Sequence, residues 1–194
     1  MNVNTFIDKL LDCCSHKTLY VMGCFGAPLN KQNKPRYKTN YKFNMQPIRQ
    51  KMIDMASDDT FGFDCVCLIK GILWGWNGDK DRTYGGAKYA SNGVPDIDAN
   101  YMFTKCSNQS TDFSIIKRGE AVWMKDHIGV YIGDGEVVEC TPAFKNCVQV
   151  TKLAGRGWVK HGFLPYIEYE QEKEPDVEKA LDLLKQAIKI LENR

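Results

Sequence analysis

Histidine is scarce in this chain. There are three in 194 residues, His16, His127 and His161, so any imidazole chemistry falls to one of them. Long apolar runs are missing too. None approaches the roughly 18 residues of a membrane-crossing helix, so no membrane span is expected. The eight cysteines include no Cys-x-x-Cys pair, the usual spacing of a zinc site, and neither a metal nor another cofactor is expected. No internal repeat is visible. The opening Met1-Asn-Val-Asn-Thr-Phe-Ile-Asp-Lys-Leu10 has no basic n-region and no long h-region, so no secretory signal is read. With no export signal, and a chain too long and core-rich to need a disulfide framework, reduced thiols are expected.

Acid is missing from one stretch. Between Asp12 and Asp54 there is no Asp or Glu but eight Lys or Arg, which hides within a net charge of only +2. This basic 17–51 stretch would attract a polyanion such as an anionic wall polymer, or else is a solvated loop. No nucleic-acid-binding motif accompanies it, so no specific nucleic acid is expected. What is present is ordinary for a globular domain: 43% apolar and 26% charged residues, enough to bury a core.

The patterning splits the chain. Helical spacing is read over 3–14, Pro47–Ser57, Cys65–Trp74 and Asp98–Thr104. Residues 26–45 read as a long loop or insertion, and Gly62 as a loop glycine. From Glu120 the period changes to two. Glu120–Met124, His127–Gly133, Glu136–Cys140, Cys147–Thr151 and Gly162–Ile167 read as successive strands. Helices first and strands after predict an α+β domain with an antiparallel sheet over 1–169. Residues 170–194 form a second unit. There Val177, Leu181, Leu184, Ile188 and Leu191 repeat at the spacing of a coiled-coil seam. A helix this short needs a partner surface, either its own domain or a second copy in a homo-oligomer.

One constellation carries chemistry. Cys65 follows Asp64, a good N-cap, at the predicted start of an apolar helix. A helix N-terminus lowers a thiol pKa, and its unpaired N–H groups can hold an oxyanion. Cys67 is the rival thiol. Two residues turn a helix by about 200°, so both thiols should not face one site. His127 opens the alternating run His-Ile-Gly-Val-Tyr-Ile-Gly133. Ile128, Val130 and Ile132 take the core face, and His127 takes the other beside Gly129, which leaves room for a substrate. Glu139 is the candidate to orient the imidazole. If Gly133-Asp134-Gly135 forms a three-residue loop, Gly129 faces Glu139 and the carboxylate is a diagonal neighbour of His127. A two-residue Asp-Gly loop would turn Glu139 to the opposite face.

These segments resemble the blocks of NlpC-type cell-wall peptidases. Phe63-Asp-Cys-Val-Cys-Leu-Ile-Lys70 is similar to their Phe-Asp-Cys-Ser-Gly-Leu-Val-Lys block. His127–Gly135 resembles the second block, and Glu139-Cys-Thr-Pro142 the third. Tyr20-Val-Met-Gly-Cys-Phe-Gly26 looks like a degraded entry motif. Gly155-Arg-Gly-Trp158 and Gly162-Phe-Leu-Pro165 look like the version in phage and prophage lysins. The resemblance covers roughly residues 15 to 168. It implies a papain-like fold and hydrolysis of a peptidoglycan stem-peptide amide. Cys65 would be the nucleophile, His127 the base and Glu139 the third residue, where the family more often has His, Asn or Gln. Tyr20 would line the site, and Asp64 would cap the helix and contact substrate. The D-glutamyl–diamino acid bond is the expected target. N-acetylmuramoyl-L-alanine amidase activity and a non-catalytic wall-binding module are the alternatives. Without a signal peptide, a holin or a phage particle would deliver such an enzyme to the wall. Val66-Cys67 replaces the usual Ser-Gly, and about residues 27–60 are inserted between the entry motif and the cysteine block.

Overall fold

A computed structural model describes residues 1–169 and, in the tail, Leu181, Leu184, Lys185, Ile188 and Leu191. Those five are helical, and the four apolar ones are exposed. Val177 and the rest of the expected 175–194 helix lie outside the described residues. So does the self-association expected through it. The fold is α+β.

Helix α1 (Val3–Ser15) is capped by Asn2, whose side chain accepts from the Thr5 N–H at 2.8 Å. It buries Val3, Phe6, Ile7, Leu10 and Cys13, a stripe of helical period. A small sheet follows, in the order β1 (Thr18–Tyr20), β3 (Phe61–Phe63), β2 (Phe25–Pro28). β1 runs parallel to β3 and β2 antiparallel. Gly62 thus lies in a strand and not in a loop. A Cβ there would stand 2.7 Å from Cys24 Sγ, so glycine is needed for close approach.

The 26–45 segment is also more ordered than its composition suggested. It holds β2 and α2 (Lys34–Thr39), and α2 packs against α3 (Pro47–Met55). Tyr37 and Ile53 from these helices join Val21, Cys24, Ala27 and Leu29 in a core of their own. Strand β3 leads through Asp64 into α4 (Cys65–Leu73), all nine residues of which are buried. Helix α5 (Ala99–Thr104) is capped by Asp98.

The second sheet has six antiparallel strands. Its order is β4 (Ser107–Ser110), β9 (Lys160–Phe163), β5 (Ala121–Met124), β6 (His127–Gly133), β7 (Glu136–Cys140), β8 (Val148–Lys152). Polar Ser107-Asn-Gln-Ser110 is an edge strand without the apolar alternation that would mark it in the sequence. β9 ends at Phe163, earlier than its apolar run. Helix α4 packs on β6 and β7, over Ile128, Val130 and Val138. Val122, Val137 and Trp158 fill a smaller cluster.

The β6–β7 turn reaches the expected register by another route. Val130 faces Val138 and Tyr131 faces Val137, a register that sets Gly129 opposite Glu139. The loop itself is the two-residue Asp134-Gly135, both at positive φ (52° and 69°), with Gly133 facing Glu136. A bulge between Tyr131 and Gly133 absorbs the one-residue slip. Loop length and register are therefore independent here, because the bulge separates them.

Candidate active site

Asp64 fixes the start of α4 with both carboxylate oxygens. Oδ1 accepts the Cys67 N–H and Oδ2 the Gly23 N–H, each at 2.7 Å. Burial pushes its pKa up against these bonds and the charge of Lys70. Asp64 is therefore the helix cap, and it also borders the cleft described below.

Cys65 is the first residue of α4, 7% exposed. The backbone N–H of Ile128, the residue after His127 on β6, favours its thiolate. The expectation of a lowered thiol pKa is corrected. Burial, reinforced by the Asp64 charge, pushes Cys65 up to about 12, and the N–H groups of Ile128, Val66 and Cys65 only temper this. The resting sulfur is a neutral thiol.

His127 begins β6 after a tight turn with Asp126 at φ 64°. Asn100 on α5 clamps that turn. Its Oδ1 accepts from the Asp126 N–H at 2.9 Å and from Trp123 Nε1 at 3.1 Å. The imidazole lies flat against Trp158, with ring centroids 5.4 Å apart and planes 14° apart. Its Nε2 is 2.5 Å from Glu139 Oε2.

Glu139 has no solvent exposure. Oε2 accepts from His127 Nε2 and from Arg156 Nη2 at 2.9 Å. Oε1 accepts from Arg156 Nε at 2.9 Å and Thr151 Oγ1 at 2.6 Å. Burial pushes its pKa up, but the bonds from His127, Arg156 and Thr151 prevail and hold it near 2. An ionised carboxylate only accepts, so His127 Nε2 carries the proton and Nδ1 is left as the basic nitrogen.

The space beside Gly129 is already filled. A Cβ there would lie 2.8 Å from Val137 Cγ1 and 3.2 Å from Trp158 Cη2. The glycine therefore seats the tryptophan behind His127 and leaves no room for a substrate, contrary to the sequence reading. Gly129→Ala should cost about 1–3 kcal/mol in urea unfolding by overpacking. An unchanged midpoint would show that Trp158 moves freely.

A cleft of about 560 Å³ opens over the thiol. Tyr20, Asp64, Cys65 and Asn100 border it, and the 27–60 insertion adds Arg36 and Tyr41. Cys67 borders it as well, although it is 5% exposed, so the two thiols are less separated than the helical angle implied. Tyr20 is held from behind by Arg49 of α3, which donates to its carbonyl oxygen and to Asn146 Oδ1. Of the other basic residues in 17–51, Lys17, Lys34 and Lys38 face Asp59, Asp58 and Asp54. Acids just beyond the stretch thus neutralise part of it.

The structure brings Cys65, Asp64 and Tyr20 to one cleft and joins His127 to Glu139; these two do not line the cleft, which Asp126 borders. Sequence reasoning missed the roles of Thr151, Arg156 and Trp158. Thr151 is a diagonal cross-strand neighbour of Glu139, since Gln149 stands directly opposite it. Arg156 and Trp158 sit past a chain reversal that no period predicts. All eight cysteines are free thiols. Among the described residues, no group of three or more His, Cys, Asp or Glu could hold a metal, and no helix could cross a membrane. No protein-family model matches the chain, and no curated protein matches it.

Proposed function

We propose that this chain is a papain-like cysteine peptidase of the NlpC type that hydrolyses an amide bond of the peptidoglycan stem peptide. The observation that carries the reading is the Glu139–His127 pair at 2.5 Å, on a strand whose next residue, Ile128, bears by its backbone N–H on the Cys65 thiol at a helix N-terminus that borders an open cleft. The peptidoglycan substrate comes from the resemblance of the Cys65 and His127 segments, and the D-glutamyl–diamino acid bond is the proposed target. Delivery to the wall would fall to a holin or a phage particle.

In this reading the neutral Cys65 thiol gives its proton to His127 Nδ1 as sulfur attacks the carbonyl carbon. Free N–H groups at the start of α4 stabilise the oxyanion. The imidazolium returns the proton to the leaving amine, and the acyl group stays on sulfur as a thioester. Water, deprotonated by the same imidazole, then releases the carboxylic acid and restores the thiol. Glu139 keeps the imidazole in one tautomer.

The test is digestion of purified peptidoglycan, with released fragments identified by mass. Peptide fragments carrying new amino termini are expected, and their masses name the bond. No release from walls of differing diamino acid, by folded protein with reduced thiols, would overturn the proposal.

A further inference from the structure

We propose that Arg156 is a positioning residue that fuses with Glu139 into one charge-neutral acceptor for His127. The inference rests on the peptidase reading for its catalytic consequence, but not for its geometry. Arg156 grips Glu139 as a fork, Nε to Oε1 and Nη2 to Oε2, both at 2.9 Å. Such parallel pairs fix both partners in a plane. Nη2 also donates to Thr141 Oγ1 at 3.3 Å. The guanidinium carbon lies 5.4 Å from the Phe144 ring centroid and 5.6 Å from that of Trp158, the same ring that stacks on His127. Arg156 therefore holds two groups that touch the imidazole, the carboxylate at its edge and the indole on its face.

The chain is shaped to bring it there. Gly155 and Gly157 flank Arg156 at φ 75° and 85°, and nothing stands within 4 Å of where their Cβ atoms would be. Backbone conformation and not crowding requires glycine at these two positions. The reversal turns the arginine back under β7 and β8.

The chemical consequence concerns charge. A lone buried carboxylate beside an imidazole favours imidazolium, and an imidazolium cannot take the thiol proton. A carboxylate already matched by a guanidinium orients the ring and contributes little net field. The other groups around the pair do not change this balance. Thr151 from β8 is neutral, and Met124 stands opposite His127 on β5. Asp126, in the preceding turn, is exposed, so solvent screens its charge, and it is the same in every variant compared. Lys152 is paired with Glu136 at the far end of the hairpin. Cys65, on the cleft side, is held neutral by burial.

The experiment follows the His127 ring by NMR titration and, in parallel, kcat/KM for stem-peptide release against pH. Arg156→Met should move the His127 titration midpoint up by about one pH unit, a tenfold rise in proton affinity. The acidic limb of kcat/KM should move with it. Arg156→Lys, which keeps the charge and loses the fork, should hold the midpoint within about 0.3 pH units while kcat falls severalfold. The double variant Glu139→Gln/Arg156→Met removes both charges and should return the midpoint to that of the unsubstituted protein. It also serves if Arg156→Met fails to fold. A midpoint that stays put in folded Arg156→Met, or a double variant as displaced as the single one, overturns the inference. Midpoints as expected in a protein that releases no fragments would sink the peptidase reading alone.

Discussion

Cys65→Ala is expected to abolish fragment release from purified peptidoglycan, by about 10⁴-fold or more, while Cys67→Ala keeps it within about threefold. The two thiols are two residues apart, equally buried, and border one cleft, so the contrast has to come from what each sulfur meets. Cys65 begins α4, and the backbone N–H groups of Ile128, which follows His127 on β6, and of Val66 and Cys65 favour its thiolate. Cys67 lies one half-turn on, where Asp64 and Lys70 are its charged neighbours. Removing its sulfur leaves a small cavity, worth about 1 kcal/mol of stability, with the base untouched. Initial rates for both variants, with melting curves to establish folding, decide the matter. Equal losses in two well-folded proteins would sink Cys65 as the nucleophile. Alkylation of the free enzyme is a weaker reporter. Burial holds the Cys65 thiol near 12, so its reaction with iodoacetamide should stay slow at neutral pH and climb through the alkaline range.

The part of this site legible in the sequence is the part written locally. Asp64 before an apolar run announced a helix start, and alternation from His127 to Ile132 announced which residues face the core. The pairing of His127 with Glu139 follows from strand register, which a bulge preserves although the loop has two residues and not three. What stayed hidden depends on chain reversals or on burial. Arg156 reaches Glu139 only because two glycines at positive φ fold the 153–159 segment back, and no periodicity encodes that return. The fullness beside Gly129 depends on Trp158, twenty-nine residues away in sequence. The Cys65 thiol illustrates the same limit in electrostatics. The helix N-terminus is visible in the sequence and favours thiolate, but the depth of burial and the Asp64 charge that outweigh it are tertiary facts. The 26–45 segment read as loop because Asn, Lys and Pro dominate its composition. Its structure instead holds β2 and the short helix α2, anchored by the buried Tyr37 against Ile53 of the expected α3.

Glu139 carries the largest expected effect on stability. Its pKa falls from the ordinary 4.5 to about 2 in the folded chain, so the folded state binds its proton less tightly than the unfolded one. The stabilisation is fully present above about pH 4.5 and is lost as pH falls toward 2. The shift corresponds to about 3 kcal/mol, for a side chain with no solvent exposure. Glu139→Leu at pH 7 removes that and leaves the Arg156 guanidinium without its carboxylate, a loss of about 3–5 kcal/mol. The pH dependence separates this cause from a simple packing defect. Other carboxylates with lowered pKa values, such as Asp59 and Asp112, lie elsewhere on the surface and cancel when variant and parent are compared at each pH. Urea midpoints at pH 7 and pH 3 should therefore show a deficit that shrinks at the lower value, where the parent has begun to lose the same interaction. A deficit of equal size at both would mean that volume, and not charge, is what Glu139 supplies. Activity should fall in parallel with the loss of the His127 tautomer, by about 10²-fold or more. Glu139→Gln should recover stability only in part, because an amide can accept from His127 or Arg156 but cannot balance the guanidinium charge.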